Sequence, residues 1–299
     1  LSLADNTWVS SRQVLETFFS DPMLIDMLFC PLMYYGNAQE RDMDFYQFVV
    51  MFKSIFMEGF AKPVGGMHYI LNLLREKYEN LGGELRLGAE VSSIHVKGES
   101  VRSIDLVDGQ SLEADNVISS MGYVETLRRC QPLLHNEDDE EVGRLTFMEF
   151  IFVLDKEPKE LGYDRSITFF CNRPQFKYLV PDQLTDVTSG VLCCPNNFDY
   201  PEPLAEGMIR LTNIANYGLW DAMSRRDYIG AKKERLGAAL EELFGVFPDF
   251  SGHVVYKDSF TPKTIHKYTG HLNGAVYGSP RKSKDGTTSV KNLFICGTD

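Results

Sequence analysis

Two glycine-containing segments have the residue types that let a ligand approach the backbone. Gly65-Gly66 stands directly before a predicted helix, and Gly297-Thr298-Asp299 directly follows an apolar strand pattern. Glycine permits close contact with the main chain, and the amino end of a helix attracts anions. The same residues are equally typical of ordinary turns, so each segment is a candidate both for ligand binding and for chain reversal.

Signatures of nucleophilic or metal chemistry are absent from the sequence. It contains no Gly-x-Ser-x-Gly elbow and no Gly-x-Gly-x-x-Gly loop. Its six cysteines form no Cys-x-x-Cys pair, and no histidine stands at metal-ligand spacing from them. We therefore predict no metal site and name no catalytic residue. Reduced, mostly buried thiols favour a cytoplasmic location.

Size and charge restrict the class of protein. With 299 residues, of which 43% are hydrophobic, the chain is long enough for two packed domains. A formal net charge of -12 argues against nucleic acid as a partner. No apolar run reaches the roughly 18 residues of a membrane span. The oligomeric state is not predicted by any of these features.

Hydrophobic periodicity predicts helices and strands in alternation. Residues 1–60 read as helical, with Ser11 as one helix cap and Asp21-Pro22 as the start of the next helix. The amphipathic spacing from Met67 to Leu81 predicts a further helix, and Asp108-Gly109 predicts a hairpin turn. Further predictions are a helix over 227–247 and strands over 84–87, 91–96, 101–107, 110–114, 115–120, 146–154, 169–171, 178–180, 190–194, 208–214, 254–260 and 292–296. The fold class is therefore α/β, with mixed helices and strands.

Aromatic and methionine side chains are concentrated between Met43 and Phe60. They are more numerous than a helix needs for one buried face. Such a stripe is usually plain core. The alternative is the wall of an apolar ligand cavity, for which adaptable methionines and flat rings are suited.

The order of eight short segments resembles the FAD-dependent phytoene desaturase, carotenoid isomerase and retinol saturase group. No single segment is decisive, but their succession covers nearly the whole chain. The segments are Phe19-Ser20-Asp21-Pro22, Pro63-Val64-Gly65-Gly66-Met67, Leu81-Gly82-Gly83-Glu84-Leu85-Arg86-Leu87, Ala89-Glu90-Val91-Ser92-Ser93-Ile94, Asp108-Gly109 with Ala114-Asp115-Asn116-Val117-Ile118-Ser119, Thr261-Pro262-Lys263-Thr264, Gly274-Ala275-Val276-Tyr277-Gly278, and Asn292 to Asp299.

The resemblance implies a flavoenzyme that transfers hydride between a substrate carbon and flavin N5. The implied substrate is an apolar isoprenoid, carotenoid or retinoid-like molecule, and peripheral membrane contact is allowed for. By the resemblance, Val91 lies against the adenine end of FAD through its backbone. The turn at Gly297, Thr298 and Asp299 meets the ribityl and diphosphate, with the aspartate accepting from a hydroxyl. Gly65-Gly66 borders the flavin and substrate cavity.

The resemblance also implies two interleaved domains. Residues 62–130 and 289–299 would belong to a three-layer FAD-binding domain. Residues 1–61, the helical part, and 131–288 would form a substrate domain of a sheet with helices.

Two parts of the family pattern are missing: the amino-terminal dinucleotide loop and the glycine-rich helix that follows the final strand. We therefore expect an incomplete flavoprotein, with no FAD bound to this chain. We also expect apolar surface left bare at Leu85, Val117, Ile118 and Phe294. Two other interpretations remain open: an amine-oxidase-like flavoenzyme with another substrate, and a non-catalytic lipid-binding protein on the same scaffold.

Overall fold

The computed structural model describes residues 8–134 and 139–299, which divide into two compact units. Unit 1 comprises residues 1–59 and 143–277, and unit 2 comprises residues 60–142 and 278–299. Each unit is thus built from two separate stretches of the chain. The assignment of these units to substrate and cofactor stays a prediction.

The helices begin where short polar side chains can cap them. Asp21 accepts a hydrogen bond from the backbone N–H of Met23 at 2.9 Å, and Pro22 follows at the first helical position. Ser224 accepts from the N–H of Asp227 at 3.2 Å in the same way. The α-helices are α1 Ser11–Glu16, α2 Pro22–Gly36, α3 Phe45–Phe52, α4 Gly66–Asn80, α5 Tyr123–Arg129, α6 Tyr217–Asp221, α7 Arg225–Phe244 and α8 Pro262–Thr269, and a π-helical segment, Lys53–Glu58, continues α3.

The strands form three sheets. They are β1 Val91–Lys97, β2 Ser100–Leu106, β3 Ser111–Leu112, β4 Val117–Ser119, β5 Cys130–Gln131, β6 Thr146–Leu154, β7 Ile167–Cys171, β8 Ser189–Cys193, β9 Gly207–Ala215, β10 Val254–Phe260 and β11 Leu293–Ile295. Unit 1 holds a five-stranded antiparallel sheet in the order β10-β6-β9-β8-β7, so β9 is its central strand. Unit 2 holds a sheet in the order β3-β2-β1-β5 and the parallel pair β11-β4.

The sheet of unit 1 carries a core on each face. On one face, side chains of β6 and β9 such as Phe150 and Leu211 pack under α7, which contributes Ala239 and Leu243. On the other face, Phe147, Val191 and Ile214 pack under α2 and α3, which contribute Phe29 and Phe48. Alternation along the strands explains how each strand supplies both cores.

Unit 2 has a smaller core and a large exposed apolar surface. Its core is formed by Ile94, Val117, Leu127 and Leu293 with their neighbours. Helix α4 has no buried residue, and Leu71 and Leu74 are 55% and 61% exposed. Among the described residues, no helix is both long and apolar enough to cross a membrane.

The structure corrects several details. The cap of α1 is Ser10 and not Ser11, since the Ser10 hydroxyl accepts from the N–H of Gln13. Residues 84–87 and 178–180, predicted as strands, lie outside any strand. The apolar pattern alone did not produce a strand at these positions, because a strand also requires a neighbouring strand with which to pair.

The expectation of bare apolar surface was right in part. Leu85 and Ile118 are 50% and 68% exposed. Val117, however, is buried at 7% against the core of unit 2, and Phe294 is half-buried. On β4, buried Val117 and exposed Ile118 are successive residues. Their side chains point to opposite faces of the strand, and only one of these faces is covered.

Candidate cofactor and substrate sites

The carboxylate of Asp299 is buried and held by two segments of unit 2. Its Oδ2 accepts from the backbone N–H of Tyr123 at 2.5 Å, and its Oδ1 accepts from the backbone N–H of Ser279 at 2.6 Å. Only 1% of the side chain is exposed. Asp299 thereby joins the turn after β11 to the start of α5 and to the loop that begins at Gly278.

Two glycines make the space that this carboxylate occupies. A Cβ on Gly278 would stand 1.7 Å from Oδ1 of Asp299, and one on Gly122 would stand 3.1 Å from Oδ2. Both glycines have positive φ, 64° and 104°. A side chain at Gly278 is therefore incompatible with the observed position of Asp299.

Lys282, in the loop that begins at Gly278, contacts both Thr298 and Asp299. Its Nζ donates to the backbone carbonyl of Thr298 and lies 3.9 Å from Oδ1 of Asp299. Burial lowers the pKa of Lys282, and the nearby Asp299 carboxylate opposes that shift. Thr298 and Asp299, both predicted as cofactor residues, thus contact the same lysine.

The other predicted cofactor residues lie on separate elements of unit 2. Gly65 and Gly66 form the amino end of α4 with φ of 86° and 70°, and Gly66 donates to the carbonyl of Pro63 at 2.9 Å. Val91 is the first residue of β1 and pairs with Leu106 of β2. Gly297 has a φ of 103° and an open surrounding, with only the Ser120 carbonyl within 4.0 Å of a Cβ built there.

The turn has one feature that suits a flavin dinucleotide. The absence of a side chain at Gly297 leaves the turn accessible to a ligand. The Asp299 carboxylate has lone pairs for more than two hydrogen bonds, but only 1% of the side chain is exposed, so a ribityl hydroxyl can donate to it only once Lys282 or the loop that begins at Gly278 moves aside. A glycine-rich cradle for the diphosphate has no counterpart in the sequence. The residues of the turn therefore suit a hydroxyl of the ribityl chain.

Sequence reasoning missed the partners of Asp299. Tyr123 and Ser279 contribute backbone N–H groups, which leave no side-chain signature. Gly278 was part of one resembling segment, but its role in making room for Asp299 appears only in three dimensions.

A second candidate site lies on the face of the unit 1 sheet that α2 and α3 partly cover. Where the helices cover it, Phe147, Val191 and Ile214 are buried. Farther along the same strands, Ile151, Val153 and Met208 are only half-buried. This stretch is apolar and partly open, which suits contact with an apolar ligand.

An ion pair lies on this stretch. Arg210 of β9 donates through Nε and Nη2 to Oε1 of Glu149 on β6, and Thr212 donates to the other carboxylate oxygen at 3.4 Å. The Glu149 side chain is 9% exposed, whereas that of Arg210 is 42% exposed. Single charges within the otherwise apolar runs of β6 and β9 were the signal in the sequence that could have identified this pair.

Tyr35 borders the ion pair from the end of α2. Its ring meets that of Phe169 edge to face, with centroids 5.5 Å apart. Burial and the neighbouring Cys193 raise the pKa of Tyr35 to about 12, and the positive charge of Arg210 opposes the rise. Tyr35 therefore stays neutral at physiological pH.

The aromatic stripe is part core and part surface. The rings of Phe45, Phe48, Phe52 and Phe56 follow one another with centroid distances of 6.0, 5.8 and 5.0 Å. Phe48 is buried, but Phe56 in the π-helical segment is 45% exposed. Phe48 is therefore core and Phe56 lies at the surface, while the role of the stripe as a cavity wall stays a prediction.

A serine, a histidine and an aspartate also meet on unit 2. The Nε2 of His95 lies 2.6 Å from Oδ2 of Asp105 and 3.3 Å from Oγ of Ser93. A nucleophilic triad needs the serine and the carboxylate on opposite ring nitrogens, and here they share one. This cluster therefore lacks triad geometry. Among the described residues, no group of three or more His, Cys, Asp or Glu side chains could hold a metal.

Comparison with known proteins agrees with the flavoprotein assignment. Residues 7–131 match the family model described as flavin containing amine oxidoreductase. The 4,4'-diaponeurosporene oxygenase of Staphylococcus aureus (strain bovine RF122 / ET3-1) is 25% identical over 316 residues, covering 96% of this chain and 59% of the relative. The chain thus spans about three fifths of the length of that curated relative.

Solved structures show the same fold. A crystal structure of an oxidoreductase from Methanosarcina mazei superposes with a TM-score of 0.60 and 17% identity over 99% of this chain and 64% of that one. A redesigned putrescine oxidase superposes with a TM-score of 0.54 and 11% identity over 96% of this chain and 62% of that one.

The predicted resemblance and the mixed α/β fold class are confirmed. This chain has the fold that these two solved structures share. In sequence it is similar to flavin containing amine oxidoreductases over residues 7–131 and to a 4,4'-diaponeurosporene oxygenase over 96% of its length.

Proposed function

We propose that this chain supplies the substrate-binding part, and a portion of the FAD-binding part, of an oxidoreductase acting on a carotenoid-, retinoid- or other isoprenoid-like molecule. The proposal is carried by one observation: the similarity to the diaponeurosporene oxygenase extends over 96% of the chain, and so over both units. The reaction would be a desaturation, saturation or isomerisation by hydride transfer.

In this proposal unit 2 contributes to the cofactor site. Bound FAD would supply the hydride acceptor or donor. Asp299 would accept from a ribityl hydroxyl, with Gly297 and Thr298 beside it. The backbone at Val91 would lie against the adenine end, and Gly65-Gly66 would border the cavity.

Unit 1 would bind the substrate along its half-open sheet face. An apolar chain requires apolar contacts and exclusion of water more than converging polar groups. Ile151, Val153 and Met208 provide such contacts, and Tyr35 is neutral there. Hydride transfer from a hydrocarbon needs no acid–base pair at the reacting carbon. This agrees with the sequence analysis, which names no catalytic residue.

An amine is the second candidate substrate, and the match to the amine oxidoreductase family favours it. An ammonium group binds most strongly to an uncompensated carboxylate or an aromatic cage. The buried carboxylate on the sheet face, Glu149, is already paired with Arg210. This pairing argues against a cationic substrate at this face.

A non-catalytic lipid-binding role would use the same sheet face without flavin. Contact with a membrane surface is compatible with either role, because Phe18, Met27 and Met57 are 74%, 64% and 73% exposed on unit 1. A cytoplasmic location agrees with the six free cysteines.

The test begins with purification of the protein from cells that produce it naturally, which yields the chain at its natural length. Its absorption spectrum is recorded, bound ligands are extracted, and turnover of 4,4'-diaponeurosporene is followed by chromatography. A flavin absorption band at about 450 nm, together with conversion of the polyene, supports the proposal. Bound apolar ligand without flavin supports the lipid-binding role. Conversion of an amine but not of the polyene supports the second candidate.

A further inference from the structure

Arg210 places a charge on a sheet face whose other side chains are mostly apolar. Arg210 lies on β9, the central strand of the unit 1 sheet. Its direct cross-strand neighbours are Ile151 on β6 and Cys193 on β8, both half-buried. The middle of a sheet face is ordinarily apolar when it is covered by other parts of the same fold.

The ion pair between Arg210 and Glu149 is not required for the stability of the sheet. Burying a carboxylate costs desolvation free energy, and replacing a buried ion pair by apolar residues of similar size is often neutral or stabilising. An apolar pair would also continue the surface made by Ile151 and Met208. The presence of Arg210 and Glu149 therefore points to a role in binding.

Glu149 holds the guanidinium in place without using all of its donors. A guanidinium has five N–H groups, and Nε and Nη2 of Arg210 are the nitrogens that donate to Glu149. With 42% of the side chain exposed, donors remain accessible to a ligand lying on the same face. The Glu149 carboxylate is engaged at both oxygens, since Thr212 donates to Oε2.

We infer that Arg210 recognises an oxygen-bearing end of the substrate: a hydroxyl, carbonyl or carboxylate at one end of an otherwise apolar chain. This inference rests on the proposed function and makes it more specific. The apolar neighbours accommodate the hydrocarbon part, and the oriented guanidinium donates to the terminal oxygen. Tyr35, at the edge of the same stretch, lies near enough for its pKa to be affected by Arg210.

The test compares three probes that share one polyene: retinoic acid, retinol and the hydrocarbon that ends in a methyl group. Binding is measured by quenching of the intrinsic fluorescence of the natural protein and of variants made in its own gene. The oxygenated probes should bind about 10- to 100-fold more tightly than the hydrocarbon, as expected for a hydrogen bond to a charged group.

The main variant is Glu149→Leu with Arg210→Met, because removing only one partner would leave a buried charge unpaired. It should bind all three probes with the affinity of the hydrocarbon. Arg165→Met is the matched control, since the Arg165 side chain is 79% exposed and pairs with its neighbour Asp164. The control should keep the preference for oxygenated probes.

If the double variant fails to fold, the preference for oxygenated probes is measured with Arg210→Lys instead. It keeps the charge beside Glu149, but an ammonium lacks the forked donors of a guanidinium. The preference should therefore fall several-fold, and an unchanged preference in either folded variant overturns the inference. A wild-type protein that binds all three probes equally also overturns it and leaves the proposed function standing. Failure of the wild type to bind any probe contradicts the proposed function itself, and the inference with it.

Discussion

Oδ2 of Asp299 and the backbone N–H of Tyr123 are joined by a 2.5 Å hydrogen bond across 176 residues of sequence. The bond fixes the start of α5 against the turn after β11. The same carboxylate fixes Ser279 through its other oxygen. Asp299 therefore has a structural role in the chain itself, in addition to the cofactor role that the resemblance implies.

Replacing Asp299 should consequently affect folding. Asp299→Ala removes the acceptor of two backbone N–H groups within a buried site, and should lower the free energy of unfolding by about 2–4 kcal/mol. Chemical denaturation followed by circular dichroism measures this change. Asp285→Ala is a suitable control, because Asp285 accepts its hydrogen bonds within an exposed local turn. Equal stability of Asp299→Ala and the wild type would show that the two backbone bonds contribute little.

Gly278→Ala should be much more damaging than an alanine at another positive-φ glycine of unit 2. Its Cβ would stand 1.7 Å from Asp299, so the carboxylate would be displaced. Gly109→Ala is the matched control: Gly109 also has positive φ, 90°, but nothing lies within 4 Å of its Cβ. We expect a loss of about 1–2 kcal/mol for the control from backbone strain alone, and at least about 2 kcal/mol more for Gly278→Ala. Thermal unfolding of the two variants gives the comparison, and similar melting temperatures would contradict it.

Acid should weaken unit 2 partly through Asp105. Hydrogen bonds from Ser111 and then His95 lower the pKa of Asp105 below its ordinary value of 3.8. A carboxyl with a lowered folded pKa stabilises the fold above its unfolded pKa, and this contribution is lost as the pH falls through the folded pKa. The free energy of unfolding of Asp105→Asn should therefore fall less than that of the wild type below about pH 4. Asp115→Asn, the same change at an exposed position of unit 2, is the control for removing one carboxylate.

The exposed face of α4 should promote self-association of the chain. Leu71 and Leu74 are 55% and 61% exposed on a helix with no buried residue. Leu71→Lys with Leu74→Lys should shift sedimentation velocity profiles towards the monomer without lowering the melting temperature. Glu76→Gln with Glu79→Gln, which changes the net charge of the same helix by the same two units, is the control for charge. If both double variants change association equally, charge and not the apolar surface is responsible.

Local signals in the sequence predicted the elements that depend on local physics. Asp21-Pro22 started α2 as predicted, and Asp108-Gly109 formed the turn between β2 and β3. A cap and a tight turn involve only neighbouring residues, and their side chains identify them.

Features that depend on distant partners could not be predicted in this way. Residues 84–87 alternate like a strand, yet the structure provides them with no strand partner among the described residues. The pairing of Glu149 with Arg210 requires the register between β6 and β9. The backbone donors that hold Asp299 have no sequence signature at all, so its structural role was not foreseen.

The interleaving of the two units has a consequence for protein synthesis. β4 in residues 117–119 pairs with β11 in residues 293–295, while all of the second stretch of unit 1, residues 143–277, lies between them. On the ribosome, unit 1 can therefore close its sheet while β4 is still without its parallel neighbour. During that interval the edge of β4 has no hydrogen-bonding neighbour, and the side chain of Val117 lacks the cover that β11 completes, so this strand is open to binding by chaperones. The exposure ends only when residues 293–295 have been synthesised.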